Sequence, residues 1–194
     1  ALSRIELNEH IAPTGTVDLA SAAQDVAGAL SPLATERRVR IEVAPAKDAT
    51  VEGDRDQVVQ VLQNLIENAV KYSPARKSVK VEIIPAETPE EATAGQIKGA
   101  ARQSLLTPDH GGAERYVAVR VADVGPGIAR QYLPRLSERF YRAPGQKSGE
   151  KSGTGLGLAI VKHIMNRHGG GLAVESAEGE GTAFTVYFPA AREA

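Results

Sequence analysis

Residues 56–72 carry the most information about the fold: Asp56-Gln-Val-Val-Gln-Val-Leu-Gln-Asn64-Leu-Ile-Glu-Asn68-Ala-Val-Lys71-Tyr72. At 100° per residue, Asn64, Asn68 and Lys71 share one narrow stripe of a helix, while the opposite stripe is apolar and predicts a core-facing side. Asn costs up to about 0.7 kcal/mol relative to Ala inside a helix, so a merely solvated face would normally carry Glu, Lys, Gln or Arg. Two amides and an ammonium on one face suit a metal-bound polyphosphate. The pattern therefore predicts that this core helix is also one wall of a site.

The composition predicts one good-sized domain with an aliphatic core. The chain has 194 residues, of which 42% are apolar, with 3 Phe, 5 Tyr and no Trp. A net charge of −1 argues against nucleic acid or an acidic membrane surface as partner, and the absence of Cys excludes disulfides and thiolate metal sites. No apolar run approaches the roughly 18 residues of a membrane span, and no signal peptide is recognisable. Because the sequence does not begin with Met, we expect a fragment of a longer protein.

The order of helices and strands predicts a two-layer sandwich. A linker (1–16) precedes a helix over about 19–38 that Asp18 can cap, and the Asn-bearing helix spans roughly 55–72. Alternating apolar residues predict strands at 39–43, 79–83 and 117–121, the last two with one wet face each, beside a short segment at 50–51 and a hairpin over 172–188. Without strict βαβ alternation, this order favours an α+β fold with helices on one face of a mostly antiparallel sheet.

One connection is unusually long for a compact domain. Residues 85–115 are rich in Ala, Glu, Gly and Pro. A short helix near 99–106 is possible, but we expect a mobile insertion.

Two glycine motifs are each compatible with a ligand site. Gly153-Thr-Gly155-Leu-Gly157-Leu158 stands where a helix to about residue 168 begins, and its exposed N–H groups can attract phosphate or simply provide a flexible helix entry. It is neither a Rossmann motif nor a P-loop. Asp123-Val-Gly125-Pro-Gly127 ends a strand. It either forms an ordinary turn, or places the Asp123 carboxylate to accept a hydrogen bond from the exocyclic amine of a ligand. Between them, 130–153 includes Phe140-Tyr141-Arg142 and spaced glycines typical of a hinged lid.

The remaining polar residues predict no other chemistry. The four histidines have no metal-ligand spacing, and His168 fits a capping role at a helix C-terminus. No Gly-x-Ser-x-Gly surrounds a serine, so nucleophilic catalysis has no candidate.

Taken in order, the motifs resemble the N, G1, F, G2 and final Gly-Thr boxes of bacterial sensor histidine kinases. They are Asn64-x-x-x-Asn68-x-x-Lys71-Tyr72, Asp123-x-Gly125-x-Gly127, Phe140-Tyr-Arg142, Gly153-x-Gly155-x-Gly157 and Gly179-x-Gly181-Thr182-x-Phe184. The segments at 134–142 and 157–163 are especially similar to the phosphate-regulon sensor kinases. The resemblance implies the Bergerat ATP-binding fold shared with gyrase, Hsp90 and MutL, with a five-stranded mixed sheet on three helices. The catalytic domain would span 17–194, with an insertion at 85–115 and an ATP lid at 130–153.

The resemblance also implies roles for individual residues, with ATP and Mg²⁺ as the ligands. Asn68 would ligate the Mg²⁺ that bridges the phosphates, and Asn64 would support that site. Lys71 would contact phosphate, Tyr72 would pack beside the adenine, and Asp123 would accept the hydrogen bond from the adenine N6 amine. With Arg142 near the γ-phosphate, the implied catalytic set is Asn64, Asn68, Lys71 and Arg142. The further implied nucleotide contacts are Gly125, Gly127, Ile128, Tyr141, Gly153, Thr154, Gly155, Leu156, Gly157, Leu158 and Thr182.

Two departures from the family pattern bear on function. The phosphoacceptor box, a His followed by an acid and later a Pro, is absent, and residues 1–11 resemble only the tail of a dimerisation helix. The acceptor histidine is therefore expected on a dimerisation domain outside this sequence, which would pass phosphate to a cognate response regulator. The resemblance implies a cytoplasmic domain of a homodimeric kinase in the bacterial inner membrane. The second departure is the length of the 85–115 insertion, whose role could be partner docking or a disordered tether.

Two other functions are compatible with the same motifs. An anti-sigma-type serine kinase would share the fold, although the Arg139-Phe-Tyr-Arg142 segment argues against it. A nucleotide-binding regulatory module without kinase activity would also share the fold, although the intact motifs make it the weaker interpretation.

Overall fold

The computed structural model describes residues 12–108, 113–139, 141, 143 and 157–192. In these residues the helices are α1 (Leu19–Glu36), α2 (Arg55–Tyr72), α3 (Pro89–Ala92) and α4 (Gly157–Arg167), with a 3-10 helix at Arg130–Arg135. The first four strands are β1 (Thr16–Asp18), β2 (Arg40–Val43), β3 (Thr50–Glu52) and β4 (Ser78–Ala86). They are followed by β5 (Ala101–Leu106), β6 (Tyr116–Asp123), β7 (Gly171–Ala177) and β8 (Gly181–Pro189).

Within the described part of the chain, the sheet is mixed and has six strands, in the order β2-β4-β6-β8-β7-β5. Strands β2 and β4 are parallel, and the other neighbours are antiparallel. Strands β1 and β3 form a separate antiparallel pair. The predicted α+β sandwich with a mixed sheet is confirmed, with six strands where five were expected.

The main core lies between one face of this sheet and the three long helices. The predicted apolar stripe of α2 is confirmed, since Val58, Val61, Leu62, Leu65 and Ala69 are all buried. Asp18 caps α1 as expected, because its Oδ1 accepts hydrogen bonds from the N–H groups of residues 20 and 21 at 2.9 and 3.2 Å. Helix α2 ends where Ser73 turns to an extended conformation before Pro74. The core therefore fixes which side of α2 remains for a site.

The alternative of a helix near 99–106 was wrong, and the insertion, expected to be mobile, contains regular secondary structure. Residues 101–106 form strand β5, which pairs with β7 from Ala101↔Ser176 to Leu106↔Leu172. The short helix of the insertion lies earlier, at α3, with Thr88 as its cap. Of the insertion, residues 109–112 lie outside the described part of the chain.

The insertion covers part of the sheet face that points away from the long helices. Ala92 of α3 joins a second apolar cluster with Tyr116, Ala118 and Tyr187. The rings of Tyr116 and Tyr187 meet edge to face at 5.5 Å, and burial raises the pKa of Tyr187 to about 12. Strand β6 is therefore buried on both faces, whereas its sequence pattern predicted one wet face.

A buried ion pair ties the insertion to the sheet. Arg120 and Glu175 are 6% and 7% exposed, and Nη2 of Arg120 donates to Oε1 of Glu175 at 2.8 Å. The same carboxylate accepts the backbone N–H groups of Gln96 and Ile97 at 3.0 and 3.2 Å. One acid thus satisfies both a buried guanidinium and two amides of the insertion, which fastens this segment to the sheet.

The end of α4 and the C-terminal hairpin lie where the sequence predicted them. Gly169 ends α4 with a φ of +68°, and Gly170 donates its N–H to the Met165 carbonyl at 3.0 Å. The predicted hairpin is β7–β8, closed by the turn at 178–180. In the described ranges, no helix has the length and apolarity that crossing a bilayer would require.

Candidate functional site

The polar face of α2 is half-buried. Asn64, Asn68, Lys71 and Tyr72 are neither fully exposed nor fully buried, as a ligand-lining face should be. Lys71 Nζ lies 3.9 Å from Oε1 of Glu67, one turn earlier on the helix.

A cation holds the C-terminal end of the same helix. Nη1 of Arg37 donates to the backbone carbonyl of Lys71 at 3.1 Å, a favourable position for a positive charge. Sequence reasoning did not find this role, because Arg37 follows a different helix 34 positions earlier.

Asp123 ends β6 as a buried carboxylate. It is 9% exposed, and its Oδ1 accepts the N–H of Gly125 at 2.8 Å. Burial raises the pKa of Asp123 to about 6, although hydrogen bonds from the backbone N–H groups of Gly125 and Thr182 oppose this rise. Because its pKa is about 6, the carboxylate is mostly ionised at neutral pH. This pKa is set by the balance between burial and the two backbone hydrogen bonds.

The two glycines after Asp123 permit contacts that no side chain would allow. A Cβ on Gly125 would lie 2.5 Å from the carbonyl oxygen of Tyr72, so this turn and the end of α2 meet backbone to backbone. Gly127 has a φ of +77°, and a Cβ there would lie 2.2 Å from the carbonyl oxygen of Ala177. The turn after β6 is therefore wedged between α2 and the β7–β8 hairpin.

Hydroxyl groups fix the far side of that turn. Ser176 Oγ accepts the N–H of Ile128 at 2.7 Å and donates to the Gly181 carbonyl at 2.9 Å. Its oxygen lies 2.8 Å from Oγ1 of Thr182, which must then be the donor, since the Ser176 proton is already used. Thr182 also lies opposite Asp123 in the β6–β8 register. The side chain of Ile128 is 2% exposed, so Ile128 anchors this turn in the core.

Ser176 was missed by sequence reasoning, although a signal for it was available. The predicted hairpin pairs Ser176 with Thr182 across β7 and β8, which places two hydroxyls side by side. Working out the register of that hairpin would have linked Ser176 to the predicted site.

Helix α4 begins beside the polar face of α2. Asn64 Nδ2 lies 3.5 Å from the carbonyl oxygen of Gly157, the first residue of α4, and Leu158 is half-buried beside it. Tyr141 is half-buried too, with the guanidinium carbon of Arg135 4.3 Å from its ring centroid.

Five predicted contacts lie outside the described residues and stay predictions: Arg142, Gly153, Thr154, Gly155 and Leu156. Among the described residues, the structure brings Asn64 to Gly157, and Asp123 and Gly125 to the end of α2 at Tyr72, while the ligand roles of all predicted residues stay predictions. Within the part of the chain that is described, no group of three or more His, Asp or Glu side chains is placed to hold a metal ion. A metal held here would need amide and ligand oxygens.

The part of the chain that contains these residues matches the model of a known protein family. The model of the histidine kinase-, DNA gyrase B- and HSP90-like ATPases matches residues 53–192, a range that includes every predicted site residue. The chain belongs to this ATPase family. The resemblance drawn from the five motifs is thereby confirmed at the level of the family.

Curated relatives of the chain carry sensor kinase names. The phosphate regulon sensor protein PhoR of Pseudomonas aeruginosa is 32% identical over 157 residues, which are 81% of this chain and 29% of that protein. The sensor histidine kinase WalK of Bacillus subtilis is 34% identical over 145 residues, 75% of this chain and 20% of WalK. The chain thus spans less than a third of either relative.

Solved structures of this ATPase family share the fold. Full-length ShkA in complex with AMPPNP superposes with a TM-score of 0.70 and 26% identity, covering 99% of this chain and 34% of ShkA. The mycobacterial sensor histidine kinase MprB gives a TM-score of 0.64 and 25% identity, covering 93% of this chain and 99% of that structure. The arrangement described here is therefore that of a histidine kinase ATPase domain.

Proposed function

We propose that the chain binds Mg-ATP and presents its γ-phosphate to a histidine on the dimerisation domain of the same kinase. One observation carries the proposal: the buried Asp123 carboxylate is bonded to Gly125, which touches the end of the Asn-bearing helix at Tyr72. A group suited to a base therefore lies next to the end of a helix whose polar face suits phosphates. The ShkA structure with AMPPNP, an ATP analogue, supports the same ligand class.

At the end of the site that would bind the base of the nucleotide (the base end), Asp123 would recognise the base. A carboxylate accepts hydrogen bonds only, so it selects a ligand edge that carries an amine, such as the N6 amine of adenine. Gly125 and Gly127 would shape the base pocket by letting this turn pack closely against α2 and the β7–β8 hairpin, and Tyr72 would pack beside the base. Thr182 borders this end through its pairing with Asp123.

The phosphate end would be held by the polar face of α2. Mg²⁺ prefers oxygen ligands and is usually bound by few protein groups together with substrate phosphates, and the amide oxygen of Asn68 fits this chemistry. Asn64 would support that site and Lys71 would contact phosphate, as would Arg142 and the glycines at 153–157. When bound, the metal neutralises charge on the phosphates.

Phosphoryl transfer would then depend mainly on position. A domain of this kind holds the γ-phosphate in line with an external imidazole and stabilises the charge that develops. The full kinase would act as a membrane-bound homodimer that passes phosphate to a response regulator. The identity with PhoR supports a phosphate-responsive kinase, which loss of phosphate-starvation signalling in a deletion strain would test.

Calorimetric titration with ATP, with and without Mg²⁺, tests the binding site. We expect Mg²⁺-dependent binding that Asn68→Ala and Asp123→Ala each weaken at least about tenfold, because each removes a distinct ligand contact. Gln63→Ala is the matched control, since Gln63 is an exposed amide on the same helix. Absence of ATP binding by the unaltered chain would overturn the proposal.

A labelling experiment tests the direction of transfer. Incubated alone with γ-labelled Mg-ATP, the chain should not label itself, whereas a dimerisation domain supplied separately should acquire an acid-labile phosphohistidine. Self-labelling on a histidine would contradict this assignment. Acid-stable phosphoserine on a partner would instead support the serine kinase alternative.

A further inference from the structure

His168, the residue that follows α4, uses both ring nitrogens in hydrogen bonds. Nδ1 lies 2.8 Å from the carbonyl oxygen of Ile164, and Nε2 lies 3.1 Å from the backbone nitrogen of Asp54. A carbonyl can only accept and an N–H can only donate, so the ring must be neutral and carry its proton on Nδ1. A protonated ring could not accept the Asp54 N–H.

The surroundings hold the ring in this state and orientation. His168 is 5% exposed, its ring meets Phe188 edge to face at 5.7 Å, and a Cβ on Gly53 would lie 3.1 Å from its Cδ2. The charged groups that face it are Arg167 and Asp54. Burial is the main cause that lowers the pKa of His168 below its usual value, and Arg167 lowers it further.

Arg167 adds a second contact between the same two helices. Its Nη1 donates to Oε1 of Gln57 at 2.6 Å and lies 3.8 Å from Oδ2 of Asp54. Asp54 is the N-cap of α2, and its Oδ1 accepts the N–H of Gln57. The end of α4 is therefore fastened to the beginning of α2.

This fastening lies at one end of an antiparallel helix pair, and the site lies at the other. Asp54 to Asn64 is 10 residues and Gly157 to His168 is 11, or about 15 and 17 Å of helix. Asn64 meets Gly157 at the site end, while Asp54 meets His168 at the remote end. The two helix segments between these contacts are nearly equal in length. The contacts at both ends therefore limit how far α4 can slide along α2.

We propose that His168 is a positioning residue for the phosphate end of the bound nucleotide. The neutral ring sets the register of α4 against α2 and so holds Gly157 opposite Asn64. A slide of one residue is about 1.5 Å, and misplacement of about 1 Å can cost up to about a hundredfold in catalysis. This inference rests on the proposed function, because it concerns the same nucleotide site.

The test compares two ligands in two variants. His168→Phe removes both hydrogen bonds while filling similar space, and His168→Gln keeps one donor and one acceptor. We expect His168→Phe to weaken Mg-ATP binding about tenfold but adenosine binding less than twofold, because the hydrogen bonds of Asp123 are to Gly125 and Thr182 and not to α4. His168→Gln should restore most of the Mg-ATP affinity, and His163→Phe, in the middle of α4, is the matched control.

Nitrogen-15 NMR of the His168 ring in the unaltered protein gives a second readout that needs no variant. We expect the tautomer protonated on Nδ1 from pH 6 to pH 8. Equal losses of Mg-ATP and adenosine affinity in His168→Phe would show a purely structural role, and the opposite tautomer or unchanged affinities would overturn the proposal. If His168→Phe does not fold, the Gln variant and the tautomer decide. Failure of the unaltered protein to bind Mg-ATP would instead refute the proposed function.

Discussion

Replacing Asp123 by Asn should stabilise the ligand-free domain at neutral pH while weakening nucleotide binding. Burial raises the pKa of the Asp123 carboxyl from 3.8 to about 6, so its ionisation costs more in the folded chain than in the unfolded chain. About 2 pKa units at about 1.4 kcal/mol each give a penalty of about 3 kcal/mol at pH 7. This is a large part of the roughly 5–15 kcal/mol by which domains are stable.

The sign of the pH dependence follows from linkage. Because the folded pKa lies above the unfolded one, the contribution of Asp123 to stability is fully present below pH 4 and is lost as the pH rises through 6. The unfolding free energy of Asp123→Asn minus that of the unaltered chain should therefore increase by about 2.5 kcal/mol between pH 4 and pH 8. Urea denaturation at a series of pH values measures this difference, in which the titrations shared by both proteins cancel.

Asp123→Ala is the control that separates charge from hydrogen bonding. It removes the same ionisation, so its pH slope should match that of Asp123→Asn, but it also leaves the N–H of Gly125 without its acceptor. The Ala variant should therefore be less stable than the Asn variant by about 1 kcal/mol at every pH. A difference from the unaltered chain that stays constant from pH 4 to pH 8 would refute the reasoning.

Three further substitutions test the turn after β6, helix α1 and the contact that holds the insertion. Gly125→Ala should abolish Mg-ATP binding in calorimetry, because its Cβ would lie 2.5 Å from the Tyr72 carbonyl and would push α2 from the turn. Gly28→Ala should instead raise the unfolding free energy by about 1 kcal/mol in urea, since Gly28 lies within α1 and a Cβ there meets no atom within 4 Å. Glu175→Ala should lower the unfolding free energy by about 3 kcal/mol, because it leaves Arg120 buried without its closest anion. Limited proteolysis should then cut the chain within 94–108.

The parts of the fold that were predictable depend on local patterns. The stripe of α2 and the cap of α1 each involve residues a few positions apart, and both were found from spacing alone. The Asp123 turn was also placed correctly, because Asp-x-Gly-x-Gly can be recognised at the end of an apolar strand. For these elements, local propensity and tertiary packing favour the same structure.

The elements that were missed depend on partners distant in sequence. Residues 101–106 contain no β-branched residue, so propensity did not favour a strand. They form β5 because β7 offers an unpaired edge and the Glu175 carboxylate captures the N–H groups of Gln96 and Ile97 nearby. Glu175 is 78 positions from Ile97, and no local pattern reports such a contact.

The contrast between local propensity and contacts with distant residues also explains why α2 can carry residues that a helix does not favour. Asn64 and Asn68 together cost about 1.4 kcal/mol in helix propensity. The Asp54 cap contributes about 1 kcal/mol, and the bond from Arg37 to the Lys71 carbonyl contributes about as much again. Since the ends and the buried stripe stabilise the helix, its polar face is free to be selected for ligand chemistry. It follows that substitution of Asp54 or Arg37, which hold the two ends of α2 without contacting the ligand, should weaken nucleotide binding, whereas substitution of Gln63 should leave it unchanged.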